Sequence, residues 1–134
     1  MLNLRLISIV AVIVLATSCK QKVKNEEKDI YKGEIVFVDT IRQLGQFSVT
    51  DPIQTSEFTF KNTGSVPIVV LSVEPSCRCI SAKYTQEAIR PGENGKITVT
   101  FDGNESAPGY FDKSVRIRIN SQRIYTLRIN GIMK

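Results

Sequence analysis

The 134-residue chain contains no histidine and no tryptophan. Without histidine there is no Ser-His-Asp triad, no Cys-His dyad, no His-bearing zinc site and no imidazole to move a proton near neutral pH. Carboxylates are scattered, and no close pair is placed for glycoside hydrolysis. No serine lies in a nucleophile-elbow sequence. Gly92 and Gly95 have no strand-to-helix context, so they imply no phosphate-binding loop. The chain is therefore expected not to be an enzyme. Aromatic residues are few at 7%, and no aromatic-and-basic pattern suggests nucleic acid as a partner. Cysteine is also scarce, and the count of three is odd, which leaves one thiol over if the others pair.

What is present begins with an address. Arg5 and the terminal amine precede Leu6 to Ala16, a run interrupted only by Ser8. Such a run falls short of the roughly 20 apolar residues a spanning helix needs, and it fits the core of a signal peptide. Ala16, Thr17 and Ser18 then lead into Cys19. This pattern resembles a bacterial lipoprotein signal, in which residues 1–18 leave and Cys19 is acylated (palmitate-type chains) to become the first residue. The departures are Ala16, where Leu is commonest, and a single basic side chain ahead of the apolar run. An uncleaved anchor, or a buried strand or helix, is the competing reading of this segment. Acyl chains contribute roughly 0.8 kcal/mol per buried methylene, so a lipidated Cys19 would hold the protein at a membrane of the cell envelope. The sequence leaves open which membrane or leaflet, and what the oligomeric state is.

Residues 20–34 carry five Lys and four acids, with only Val23, Ile30 and Tyr31 as larger apolar side chains. So little burial cannot offset ordering entropy, and a tether is expected from Cys19 to residue 34.

From Ile35 to Lys134 the hydrophobic period is two. Phe58 and Phe60 alternate with polar residues, as do Ile97, Val99 and Phe101, then Val115, Ile117 and Ile119, then Tyr125, Leu127 and Ile129. Ile35 to Val38 opens the series. Ile68 to Val73 is nearly all apolar, which predicts a strand covered on both faces or a tertiary corner. Between these runs stand Asn62-Thr63-Gly64, Pro91-Gly92-Glu93-Asn94-Gly95, Asp102-Gly103-Asn104 and Pro108-Gly109. They predict turns, with Asn62-Thr63-Gly64 and Pro91-Gly92 as hairpin corners in which Gly supplies positive φ and Pro fixes φ. About seven short strands over some hundred residues predict an all-β, immunoglobulin-like antiparallel β-sandwich over residues 35–134.

Several motifs also follow one another in a specific order. They are Leu44-Gly45-Gln46-Phe47, Phe58-Thr59-Phe60-Lys61-Asn62-Thr63-Gly64, Pro67-Ile68, Ser76-Cys77-Arg78-Cys79, Ile89-Arg90-Pro91-Gly92-Glu93, Gly95-Lys96-Ile97, Gly109-Tyr110-Phe111 and Asn130-Gly131. The set resembles the domain of unknown function 1573 family of bacterial envelope proteins, many of them lipoproteins. The resemblance implies an immunoglobulin-like sandwich, similar to domains of cilia- and centrosome-associated proteins and to pilus-chaperone-like folds. It supplies no activity. The family usually has Cys-Gly-Cys where this chain has Cys77-Arg78-Cys79.

On a regular strand Cys77 and Cys79 would share a face, with Cα atoms about 6.6–6.8 Å apart. That is the upper edge of disulfide geometry, so a bridge would need a kink. Three readings stay open: a structural pair, reduced or bridged; a thiol-exchange site; or a soft-metal site. Two thiolates without histidine suit Cu(I) and do not complete a zinc site, so copper is the one candidate cofactor. Arg78 would favour the thiolate form.

The formal charge of +5 falls to +3 over residues 35–134, where 12 basic residues face 9 acidic ones. The basic residues concentrate in the last two strands as Arg116, Arg118, Arg123 and Arg128. If those strands pair, the four would form an outward stripe for lipid head groups, an anionic glycan or a partner protein, or simply a solvated face. The sequence thus predicts a non-enzymatic, membrane-anchored binding or assembly module of the cell envelope, with envelope proteins as candidate partners. Copper or thiol-redox handling at Cys77 and Cys79 is the alternative.

Overall fold

The computed structural model describes residues 33–134. The leader, Cys19 and the tether up to Lys32 lie outside the described residues. The alternating runs form strands that turn their core side chains to one face. In chain order these are β1 (Ile35–Phe37), β2 (Ile41–Phe47), β3 (Ile53–Asn62), β4 (Val70–Pro75), β5 (Ile80–Tyr84), β6 (Asn94–Asp102), β7 (Gly109–Ile119) and β8 (Ile124–Met133). They make two four-stranded sheets, in the orders β1-β3-β6-β5 and β2-β8-β7-β4. The inner faces close on one core that includes Phe58, Phe60, Ile97, Val99, Phe101, Ile117, Leu127 and Ile129. Each such side chain contributes about 1.5–3 kcal/mol relative to exposure, which makes this core the main source of stability.

The strand order is that of an immunoglobulin-like sandwich, with one four-stranded sheet facing a second that carries the C, F and G equivalents β4, β7 and β8. The strand count is eight rather than seven because the opening strand divides between the sheets. β1 pairs antiparallel with β3, the chain crosses over at Val38–Thr40, and β2 pairs in parallel with β8. The β2 register breaks between Gln43 and Gln46, around Gly45 at φ +69°. Arg42 is tied down on this strand: it meets Asp39 at 3.1 Å, donates to the Glu57 carbonyl at 3.1 Å, and lies 5.7 Å from the centre of the Phe58 ring.

Aromatic groups close both ends of the core. At one end Phe101 stacks on Phe111, with centroids 4.2 Å apart, and Phe47 meets both edge-on. At the other, Phe37 packs between Phe60 and Tyr125. Gly33 and Glu34 already belong to the folded body. The Gly33 amide donates to the Asn120 carbonyl, and the Glu34 carbonyl accepts from Thr63 and Gly64. The chain therefore comes into the sandwich beside the β7–β8 hairpin.

One expectation is narrowed and another is corrected. The apolar run from Ile68 to Val73 is not covered on both faces. Ile68 and Val70 are buried, whereas Leu71 is 55% exposed on an edge strand with a register shift at that residue. The run is a corner, held by backbone hydrogen bonds between Ile68 and Ile89, where the chain passes from one sheet to the other. Asn62-Thr63-Gly64 is not a hairpin corner needing positive φ. Gly92, at φ +84°, does follow the expected chemistry, with Glu93 N donating to Arg90 O across Pro91-Gly92 as in a type II turn. Gly64 is instead favoured by close approach, since a Cβ there would sit 3.1 Å from the Glu34 nitrogen, tighter than an ordinary contact.

Candidate functional site

The outer face of the β4-β7-β8 layers carries three of the four stripe arginines together. β4 and β8 flank β7, with Glu74 opposite Arg116, and Ser72 and Ile124 opposite Arg118. Alternation turns Arg116 and Arg118 outward while Val115, Ile117 and Ile119 fill the core. Arg116, Arg118 and Arg123 line one open cleft with Glu74, Ser121, Gln122 and Ile124. Arg116 is paired with Glu74 at 2.8 Å, and this bond, with a second from Ser72, holds the Glu74 carboxyl below its ordinary pKa. Arg123 lies 5.7 Å from the centre of the Tyr125 ring. Among the described residues Arg118 and Arg123 have no ion pair.

Arg128 is not part of that cleft. It is held by a bidentate contact to Asp112, its Nε donating to Oδ1 at 3.2 Å, and this pairing raises its pKa further. Alternation along the chain identifies the outward arginines. Glu74 and Asp112, which decide how many of those charges remain unpaired, become neighbours only through strand pairing, and sequence reasoning missed both.

Cys77 and Cys79 are not on a regular strand. They sit in the turn between β4 and β5, where Ile80 N donates to Cys77 O at 3.3 Å and brings the two Cα atoms to 5.3 Å. At that separation they are joined as a disulfide. The turn is fastened to both sheets: Ser76 N donates to Ser114 O, and Asp102 N donates to Cys79 O at 2.8 Å. The bridge is half-buried against the core, and Arg78 is exposed between its ends. Asp102, Asn104, Glu105 and Ser106 line the same recess, so the positive charge of Arg78 is opposed by two carboxylates. Among the described residues no three His, Cys, Asp or Glu side chains converge. Two thiolates could hold Cu(I) only after the bridge is reduced. Met133, the one thioether among the described residues, is buried in the core beside Gly103.

The bridged ring is very short, so its loss should leave the fold intact. Chain-entropy arguments give a three-residue ring about 2 kcal/mol of stabilisation or less. Reduction should therefore lower the unfolding free energy by no more than that, with two alkylatable thiols appearing at Cys77 and Cys79 in a still folded domain. Denaturant unfolding with and without reductant measures it.

Solved structures place the architecture among related sandwiches. A protein of unknown function from Porphyromonas gingivalis W83 superposes with a TM-score of 0.66 at 15% identity, over 77% of this chain and 48% of that one. The ASH/PapD-like domain 7 of human CEP192 superposes with a TM-score of 0.57 at 8% identity, over 78% and 87%. The secreted serine protease VesC of Vibrio cholerae matches with a TM-score of 0.55 at 13% identity, over 81% of this chain and 25% of the protease. At these identities the likeness is one of fold. The chain spans about half the length of the Porphyromonas protein it matches. No curated protein matches it in sequence. Residues 35–133, nearly the whole sandwich, match the model of one family, and the chain belongs to it: Protein of unknown function (DUF1573).

Proposed function

We propose that the protein is a lipid-anchored component of the cell envelope whose sandwich is a binding or assembly module and not an enzyme. The observation that carries the binding role is an apolar margin where two edge strands meet. Val36 on β1, Val38 in the crossover and Ile41 on β2 all stand largely in solvent, Val38 at 80% exposure. Edge strands with exposed β-branched side chains are sites where another chain can add. The leader ending at Cys19 supports the anchor and the compartment.

A photo-crosslinking residue at Val38 or Ile41, in the full chain in its native cells, should capture a reproducible set of envelope proteins. The same residue at Thr98, on the outer face of central strand β6, should not. Equal capture from both faces would overturn the assignment. For the anchor, mass spectrometry of the mature protein should find an acylated N-terminal Cys19, and an intact leader with an unmodified thiol would exclude it.

The disulfide supports a second reading, thiol exchange at Cys77 and Cys79, with Cu(I) as the metal alternative for the reduced pair. It sits in a half-buried turn whose three-residue ring adds little to the stability of the fold. Copper titration of the reduced protein, with and without Cys77→Ser, tests the metal arm. Equal binding by both would remove it.

A further inference from the structure

We propose that the cleft formed by Arg116, Arg118 and Arg123 faces the membrane and takes the phosphate of an anionic lipid head group. The proposal rests on the lipid-anchor reading above, because it uses the direction from which the anchor reaches the domain.

The first argument is positional. Gly33, where the chain joins the sandwich, is hydrogen-bonded to Asn120 at the start of the β7–β8 hairpin. Gly33 lines a recess with Ser121, Gln122, Arg123 and Tyr125, and the arginine cleft shares Ser121, Gln122 and Arg123 with it. The attachment point and the guanidinium groups therefore occupy one end of the sandwich. The residues between Cys19 and Gly33 can span at most about 50 Å, so in a lipidated protein this end stays within that distance of the bilayer.

The second argument is charge. Glu74 is committed to Arg116, which leaves Arg118 and Arg123 as the unpaired charges of the cleft among the described residues. Glu34 is the acid on the neighbouring recess. At the opposite end the loops carry Asp51, Asp102 and Glu105 against Arg78 and Lys134. The loops at the anchor end carry Glu34, Glu87 and Glu93 beside Arg90 and Arg123, so the positive charge is concentrated in the arginine cleft and not over that whole end. A guanidinium fork matches phosphate oxygens in a bidentate manner, and arginine is weakly hydrated for a cation. Ile124 lines the same cleft and is largely exposed, an apolar contact suited to the boundary between head group and acyl chain.

The test uses the mature chain, residues 19–134, with Cys19→Ser, so that no acyl chain contributes to binding. It should bind phosphatidylcholine vesicles containing phosphatidylglycerol and not phosphatidylcholine alone, with affinity falling as salt rises. Each basic residue near an anionic surface is worth about fivefold. Arg118→Gln should therefore weaken binding about fivefold, and Arg118→Gln with Arg123→Gln roughly 25-fold. Arg128→Gln should change it little, and Glu74→Gln should strengthen it by releasing Arg116. Equal binding to neutral vesicles, or equal losses from Arg128→Gln and Arg118→Gln, would overturn the site. Binding to a soluble acidic polysaccharide that depends on Arg118 and Arg123, with none to vesicles, would overturn the lipid assignment. Acylation of Cys19, read by mass spectrometry, reports on the anchor separately, so its failure and the failure of the cleft are distinguishable.

Discussion

Phe60→Ala should cost the domain about 3–5 kcal/mol. Phe60 is fully buried on β3, packs against Phe37 at 5.3 Å, and fills the space above Gly95, where a Cβ would come within 2.4 Å of its ring. Removing the ring takes away the transfer energy of the side chain and leaves a cavity bounded by backbone that cannot collapse freely. Domains of this size are stable by only about 5–15 kcal/mol, so a substantial unfolded population should appear under mild conditions. Chemical denaturation should show a lower midpoint with an unchanged slope. Gly95→Ala makes the complementary test. It should destabilise the wild-type background by about 1–3 kcal/mol through overpacking, and Phe60→Leu should relieve part of that loss, the Ile89 Cδ1 at 2.5 Å from the added Cβ remaining. Additive losses in the double variant would show that the two positions do not share one packing constraint.

Asn62→Asp should be nearly as damaging although it changes one atom. Asn62 is 1% exposed at the end of β3 and is among the few buried polar residues. Its Nδ2 donates to the carbonyls of Val66 and Ile89, both at 2.9 Å, and its Oδ1 accepts from the Gly64 amide. The side chain thereby ties the passage from β3 to β4 onto the segment that precedes β6. A carboxylate there would put an acceptor against two acceptors, in a site that water cannot reach, at an expected cost of about 3 kcal/mol or more. Protonation restores one donor. The folded state of the variant should therefore bind a proton more tightly than the unfolded state, and its stability should rise as pH falls, whereas the parent has no such dependence at this position. Unfolding curves of both proteins across the acidic range would measure it. A variant as stable as the parent at neutral pH would show that the Asn62 amide is not what holds the loop.

Much of this molecule was legible from its side-chain alternation. Phe58, Phe60, Ile97, Val99, Phe101, Ile117, Leu127 and Ile129 all point inward as a period of two requires, because a pleated strand with one covered face leaves no other choice. β2 was much harder to see. In Ile41–Phe47 the pattern is broken by the irregular register around Gly45, and both ends of the strand are partly exposed. Its place beside β8 follows from the crossover at Val38–Thr40, which no local pattern encodes. β5 was equally faint, since Ile80 is its one buried side chain. The cysteine pair was visible as a pair, but its geometry was not. The turn that brings the Cα atoms to 5.3 Å depends on Ser76 and Cys79 being held by β7 and by the end of β6, strands far along the chain. The arginine stripe shows the same limit. Outward direction is local information, while the partners that neutralise Arg116 and Arg128 come from neighbouring strands.

The division of the opening strand has a mechanical consequence. β2 runs in parallel with the final strand, and β1 lies antiparallel to β3, so a pull on Gly33 acts along both strands and not across them. If a partner held the opposite end of the sandwich, the rungs of each ladder would take the load together and slide as a set, instead of opening one at a time like a zip. A domain stretched between a bilayer and an envelope partner would then resist force where its chain first joins the body, at β1 and β2, where Ile35 is the one buried side chain.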